Sequence, residues 1–258
     1  MPNNVTAQGH ALGSPRLVVM DLLGVFVEHD ETVRRALAAA FSAHGEHVDE
    51  EVAAMAIGYP GVHGISRLLK WLHPNEEPSA QSVRSIHDLA VKEFGRMVRF
   101  GNAIQPASGI HHLCQNWGKV GVHMAATTTL DSAVVKSLLS RMGWDSNPPF
   151  HALVLAEEVD HPTPGPDLIL ECMRRTGVQD VKAVAKVASH VIGLSDARRL
   201  RCGWNVLVDD GTLTTDQIAA IAPSAIVDQV SHLSNIWTFP AQPDAAMEDD
   251  IARLLARP

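Results

Sequence analysis

From residue 107 into the 220s the sequence repeats one alternation, and nothing else in the chain restricts its fold as much. Helix-patterned PASGIHHLCQNWG precedes strand-patterned KVGVHMAAT; LDSAVVKSLLSRMG precedes ALVLA, GPDLILECMRRTG precedes VKAVAKVA, SDARRLRCG precedes WNVLV, and TTDQIAAIAP precedes AIVDQ. Gly or Gly-Pro closes most of the helical stretches, where a left-handed residue ends a helix without steric cost. Short apolar runs joined by amphipathic helices of this length give a parallel sheet covered on both faces, with ligands bound outside the carboxyl ends of its strands. One more apolar strand, LVVMD at 17–21, stands earlier. Between it and the alternation, residues 31–99 carry only helical periodicity, as in ETVRRALAAAFSAHG and SVRSIHDLAVKEFGRMVRF. The spacing therefore predicts an α/β fold: a Rossmann-like parallel sheet core with an inserted all-helical cap. Residues 1–14 read as a flexible N-terminus, 15–29 and 101–240 as the core, 30–100 as the cap, and 241–258 as a C-terminal tail or helix.

The strand at 17–21 ends on Asp21, followed by Leu22, Leu23, Gly24 and Val25. A carboxylate at the end of a buried strand costs several kcal/mol unless it is solvated or used, so Asp21 is the first candidate for chemistry. The rest of the composition narrows the partners. With 21 basic residues dispersed along the chain and a formal charge of -8, nucleic acid is excluded as a partner and a small molecule is expected. No run of about 18 apolar residues is present to span a membrane, the N-terminal MPNNVTAQGHALGSPR has no apolar signal core, and the reading is cytoplasmic. Cys114, Cys172 and Cys202 lack metal-ligand spacing and read as free thiols. Fourteen histidines form no HxH or HExxH pattern, and adjacent His111 and His112 would point about 100° apart on a helix, so no metal is assigned to them.

Over residues 15–235 this organisation resembles the haloacid dehalogenase superfamily, near its phosphonoacetaldehyde hydrolase branch. The resemblance implies that Asp21, first residue of the motif Asp21-Leu22-Leu23-Gly24-Val25, is the nucleophile of a covalent aspartyl intermediate. It matches Thr127 in MAATTTLDS to the second motif, Thr163-Pro164-Gly165-Pro166-Asp167 to the lysine-led third, and KVASHVIGLSDARRLRCGW to the fourth. Against that pattern, Leu23 replaces the acid that protonates the leaving group, Thr163 replaces the cation, and Ala188 and Ser189 stand where Gly-Asp holds Mg²⁺. Two anions without a lysine or metal would repel a phosphate. Gly61 stands at the position of the branch's Schiff-base lysine, with Lys70 more than two turns away. Dehalogenation by Asp21 remains open but needs a cation to ionise the nucleophile and receive the halide.

The resulting expectation is a metal-independent, cofactor-free enzyme of small-molecule metabolism that uses Asp21 as base, acid or nucleophile. The alternative is an inactive pseudohydrolase that binds a ligand or protein. Thr127, Thr128, Thr163, Ser189, His190 and Asp196 are expected at the carboxyl edge as substrate-binding residues, with Glu157, Glu158 and His161 in the adjacent loop and Tyr59 and His63 above, in the cap. Walled by Leu22, Leu23 and Val25, Asp21 is expected to have a raised pKa. In the binding alternative, Asp21→Asn would relieve a buried charge and leave stability equal or higher. The local reading of Thr127 and Thr128 makes them strand-end hydroxyls bonded to backbone. VLVDDGTL at 206–213 imitates the first motif but places Val208 at the nucleophile position, and reads as an Asp-Gly turn.

Overall fold

The computed structural model describes residues 14–28, 31–101, 104–237 and 239; the expected N-terminal segment, but for Ser14, and the C-terminal tail lie outside them. The chain runs through β1 (Leu17–Asp21), β2 (Val27–Glu28), α1 (Thr32–Ala43), α2 (Glu50–Ala53), α3 (Gly61–Leu72), α4 (Ala80–Phe100) and β3 (Gln105–Pro106). It continues with α5 (Ile110–Lys119), β4 (His123–Thr128), α6 (Ser132–Met142), β5 (Ala152–Leu155), α7 (Asp167–Thr176), β6 (Val184–Ala188), α8 (Val191–Leu200), β7 (Trp204–Val208), α9 (Thr215–Ile221) and β8 (Ala225–Val227). Six strands form one parallel sheet in the order β5-β4-β1-β6-β7-β8, so β1 lies inside it, flanked by β4 and β6.

Side-chain alternation along each strand assigns residues to the two faces of the sheet. Leu17 and Val19 of β1, Ala125 of β4 and Val184 of β6 pack against Leu168, Ile169, Cys172 and Met173 of α7. Val18 and Met20, with Met124, Ala126, Ala185 and Val187, face the opposite layer, built around α5 and α6. The register pairs Asp21 with Thr127 and Val19 with Lys186. Asp21, Thr127 and Lys186 thus share one face, and the carboxyl ends of three adjacent strands converge there.

The helices between β2 and β3 enclose a hydrophobic cluster of their own, including Phe41, Ile65, Leu68 and Ile86. The short antiparallel pair of β2 with β3 closes the base of this excursion; two-residue strands carry too little periodicity to be read from sequence. Residues 209–212 form the expected turn: Gly211 has φ +82°, and the Asp209 and Asp210 carboxylates accept from the amides of Gly211 and Thr212. Among the described residues Cys114, Cys172 and Cys202 are free, and burial pushes the first two thiols up to about 12. No helix of the described residues is long and apolar enough to cross a membrane.

Candidate functional site

Beyond the carboxyl end of β1 the chain turns at once. The Leu22 amide bonds the Thr127 carbonyl, Gly24 adopts φ +85°, and the Val27 amide bonds the Leu22 carbonyl. This tight reversal leaves the Asp21 side chain at the floor of a cavity of about 820 Å³ between the sheet edge and the helical segment. Asp21 is only 8% exposed.

Its two oxygens have different surroundings. Oδ1 accepts from Lys186 Nζ at 2.6 Å and from Thr127 Oγ1 at 3.1 Å, and Lys186 Nζ also donates to Thr127 Oγ1 at 2.9 Å. Oδ2 is buried and makes no aligned hydrogen bond, although His190 Nδ1 lies 3.1 Å from it. Burial raises the Asp21 pKa, but the charges of Lys186 and then His190 outweigh it and hold the carboxyl well below the usual range. The expectation of a raised pKa is therefore overturned. It omitted Lys186, 3% exposed in the strand next door. The same lysine corrects the inference that the site has no cation.

Thr127, Thr128, Thr163, Ser189, His190, Asp196 and Tyr59 all line the cavity. Their bonding differs from residue to residue. Thr128 Oγ1 accepts from the Leu130 amide, as a strand-end hydroxyl does, whereas Thr127 bonds Asp21 rather than backbone. Thr163 lies against Asp196, whose carboxyl burial pushes upward in spite of that contact. Tyr59 lies under the Arg67 guanidinium, 4.6 Å from its ring centre. His63 is the exception: it sits on an exposed face of α3 and does not line the cavity. Glu157, Glu158 and His161 do not line it either. Glu158 accepts from the Leu155 amide at 2.7 Å and pairs with Arg175, and His161 pairs with Asp167 at 3.3 Å.

Several lining residues had no signal in the sequence pattern, among them Arg34, Arg67, His87 and Asp131. His87 of α4 bonds Asp131, the residue before α6, at 3.1 Å, so this pair ties the helical segment to the core. The hydrogen bond that His87 donates to Asp131 leads the factors that raise the His87 pKa, against burial. The ring occupies space left by Gly61, whose added Cβ would lie 2.6 Å from His87 Cδ2.

A family model for haloacid dehalogenase-like hydrolases matches residues 18–187, from β1 through the lysine of β6. The chain belongs to this family. Haloacid dehalogenase-like architecture is equally plain in solved structures. A hydrolase from Pseudomonas syringae superposes with a TM-score of 0.75 at 15% identity, covering 86% of this chain and 100% of its own. A phosphonoacetaldehyde hydrolase-like protein from Oleispira antarctica gives 0.72 at 18% identity over 99% of both chains. CbbY from Rhodobacter sphaeroides, in complex with phosphate, gives 0.70 at 20% identity over 85% of this chain and 96% of that one. At such identities the likeness establishes the fold. Among curated proteins none matches the sequence.

Proposed function

We propose that this member of the family is a metal-independent hydrolase in which ionised Asp21 attacks a small-molecule substrate through Oδ2, while residues 30–100 act as the cap over the cavity. The observation that carries the reading is the asymmetry of the carboxylate. Oδ1 is held by Lys186 and Thr127, so the bonds that would stabilise negative charge on it are in place before reaction. Oδ2 makes no aligned hydrogen bond and faces His190 Nδ1 at 3.1 Å, at the cavity. A carboxyl held below its usual pKa is anionic at neutral pH, which suits a nucleophile and rules against a general acid.

The Mg²⁺ held by phosphatases of the family does not fit these residues. Lys186 already occupies Oδ1, Leu23 and Ser189 supply no carboxylate, and burial disfavours the anionic form of Asp196. Among the described residues no three of His, Cys, Asp and Glu cluster closely enough to hold an ion, and Mg²⁺ ordinarily takes one or two carboxylates within an octahedral oxygen shell. CbbY was crystallised with phosphate, yet a phosphomonoester needs its leaving oxygen protonated, and Leu23 cannot do that. A leaving group that departs as a stable anion, such as halide, needs no such acid, and Lys186 supplies the cation that keeps the nucleophile ionised. The wall is rich in Leu, Ile and Val and carries Arg67, stacked over Tyr59, and Arg34, paired with Glu31, beside the acids Glu51, Asp131 and Asp210. A substrate with an apolar body and an anionic group that reaches Arg67 fits it.

The test is halide release from short- and medium-chain 2-bromoalkanoates, in the presence of EDTA, by the wild type and Asp21→Asn. The wild type should turn over and the variant should fall at least ~10²-fold, the size of effect typical for a lost acid-base group and a lower bound for a lost nucleophile. Mg²⁺-dependent hydrolysis of a phosphomonoester with no halide release would overturn the reading. The binding-only alternative draws on the cover that His190 and Gly193 place over Oδ2; it expects no turnover and unchanged ligand affinity in Asp21→Asn.

A further inference from the structure

We infer that His190 is a catalytic residue, carrying the proton in the second half of the reaction, when water hydrolyses the ester formed on Asp21. This rests on the nucleophile reading of Asp21. Leu23 leaves the first-motif position without an acid or base, so some other group must move a proton when water attacks. His190 is the titratable group placed against the reacting oxygen, with Nδ1 3.1 Å from Oδ2 and a side chain 26% exposed to the cavity that it lines. Asp196 shares the cavity but faces Thr163. The imidazole is also held in place. Gly58 has φ +87°, and a Cβ there would come 2.3 Å from His190 Cδ2, so only glycine lets the cap loop close against this ring. Gly193 opens the other side: its added Cβ would lie 3.1 Å from Asp21 Oδ2 and 3.4 Å from His190 Cε1.

Asp21 Oδ2 forms a bond to the substrate carbon as the bond to the leaving group breaks, and that group departs with the electron pair. In the step that forms the ester, Nδ1 faces the anionic Oδ2 as the donor nitrogen of the ring. Esterification removes the anion, and the neutral imidazole changes tautomer through solvent: Nδ1 releases its proton to water, Nε2 takes one up, and Nδ1 becomes an acceptor. Water gives one proton to His190 and its hydroxyl to Asp21 Cγ, with Lys186 and Thr127 holding the charge that develops on Oδ1. The Cγ–Oδ2 bond breaks, the departing alkoxide takes the proton from His190, and Asp21 ionises. The net change converts R–X and water into R–OH, X⁻ and H⁺.

The experiment uses the full chain as wild type, His190→Asn, His190→Gln and Asp21→Asn, each shown to be folded by circular dichroism and mixed with 2-bromoalkanoates. The mass of the peptide carrying Asp21 is then read against time. The expected result is a stoichiometric alkanoate adduct on Asp21 in both His190 variants, an initial burst of halide matching the enzyme concentration, and steady turnover reduced ~10²-fold or more. Added imidazole should discharge the adduct, which a merely structural role for His190 would not predict. Adducts that clear as fast in the His190 variants as in the wild type would overturn the proposal while leaving the Asp21 reading intact. No adduct in any protein, with no halide released, would remove the Asp21 reading and this inference with it.

Discussion

Lys186→Met separates the buried pair at the centre of the site with little change in side-chain length. Asp21 and Lys186 are 8% and 3% exposed, so water cannot replace the lost ammonium. Removing one partner of a buried ion pair costs ~3–5 kcal/mol. A ceiling follows from the carboxyl's alternative, which is to take up a proton. For a group whose ordinary pKa is 3.8, neutralisation at pH 7 costs about 4.4 kcal/mol at 1.36 kcal/mol per pH unit. A loss of ~3–4 kcal/mol at pH 7 is expected, shrinking by about 1.4 kcal/mol for each unit toward pH 4. The sign comes from the two pKa shifts. In the wild type the lowered pKa gives stability that is complete above 3.8 and is lost only as pH falls through the lower folded value. In the variant burial, the largest factor, is opposed by His190 alone, so the folded pKa rises; the variant then loses stability relative to the wild type as pH rises, and the gap widens from pH 4 toward pH 7. Urea titrations of wild type, Lys186→Met, Asp21→Asn and the double variant would measure it. The double variant should be more stable than the sum of the single losses predicts, since it buries no unpaired charge. A Lys186→Met loss under 1 kcal/mol at every pH, or strictly additive losses, would refute the reasoning. Asp21→Asn is expected to destabilise, because it strands the lysine; without that partner, the binding alternative read from the sequence implies equal or higher stability.

Gly58→Ala forces a left-handed φ of +87° on an alanine and drives its Cβ into His190, so a thermal melt should show a loss of at least ~1–2 kcal/mol together with impaired halide release. For His87→Gln the effect depends on pH. The raised His87 pKa makes its stabilisation complete below 6.5 and lost as pH rises through the folded value, while the lowered Asp131 pKa limits it on the acid side below 3.8. The wild type should therefore exceed the variant by ~0.5–1 kcal/mol between these limits, and the difference in melting temperature should vanish in alkaline buffer. Titration calorimetry with Mg²⁺ should give no micromolar binding, and Mg²⁺ should not alter the melt.

The sheet was legible because β4 to β8 alternate with helices and each strand is mostly apolar, as burial on both faces demands, VAKVA and WNVLV carrying one polar residue each. The helical segment was legible because 31–99 holds one period throughout. Boundaries were less so: α8 begins at Val191, before the Ser195 from which the pattern was read, because His190 and its neighbours turn directly from β6 into the helix. Asp21 was legible because a lone acid ending an apolar strand has few innocent explanations. His63 was misplaced because an eight-residue interval from Tyr59 to Arg67 crosses from a loop into α3, and only the fold decides which side of that helix faces inward.

Lys186 shows why the chemistry was harder to read than the fold. Its identity was visible, and a lysine in the middle of a strand otherwise made of Val and Ala is as anomalous as the acid at the end of β1. The third motif fixes its cation at one place in the chain, and Thr163 stands there. The physical requirement concerns space instead. A buried carboxylate needs a buried countercharge, and a strand adjacent to β1 can supply it. In register, Lys186 stands beside Val19, one same-face position short of Asp21, and its four-carbon stem runs along the sheet to deliver the ammonium to Oδ1. Two anomalies 165 residues apart thus satisfy one another: each charge, costly alone in an apolar strand, is tolerated because parallel pairing of β1 with β6 brings the other within reach.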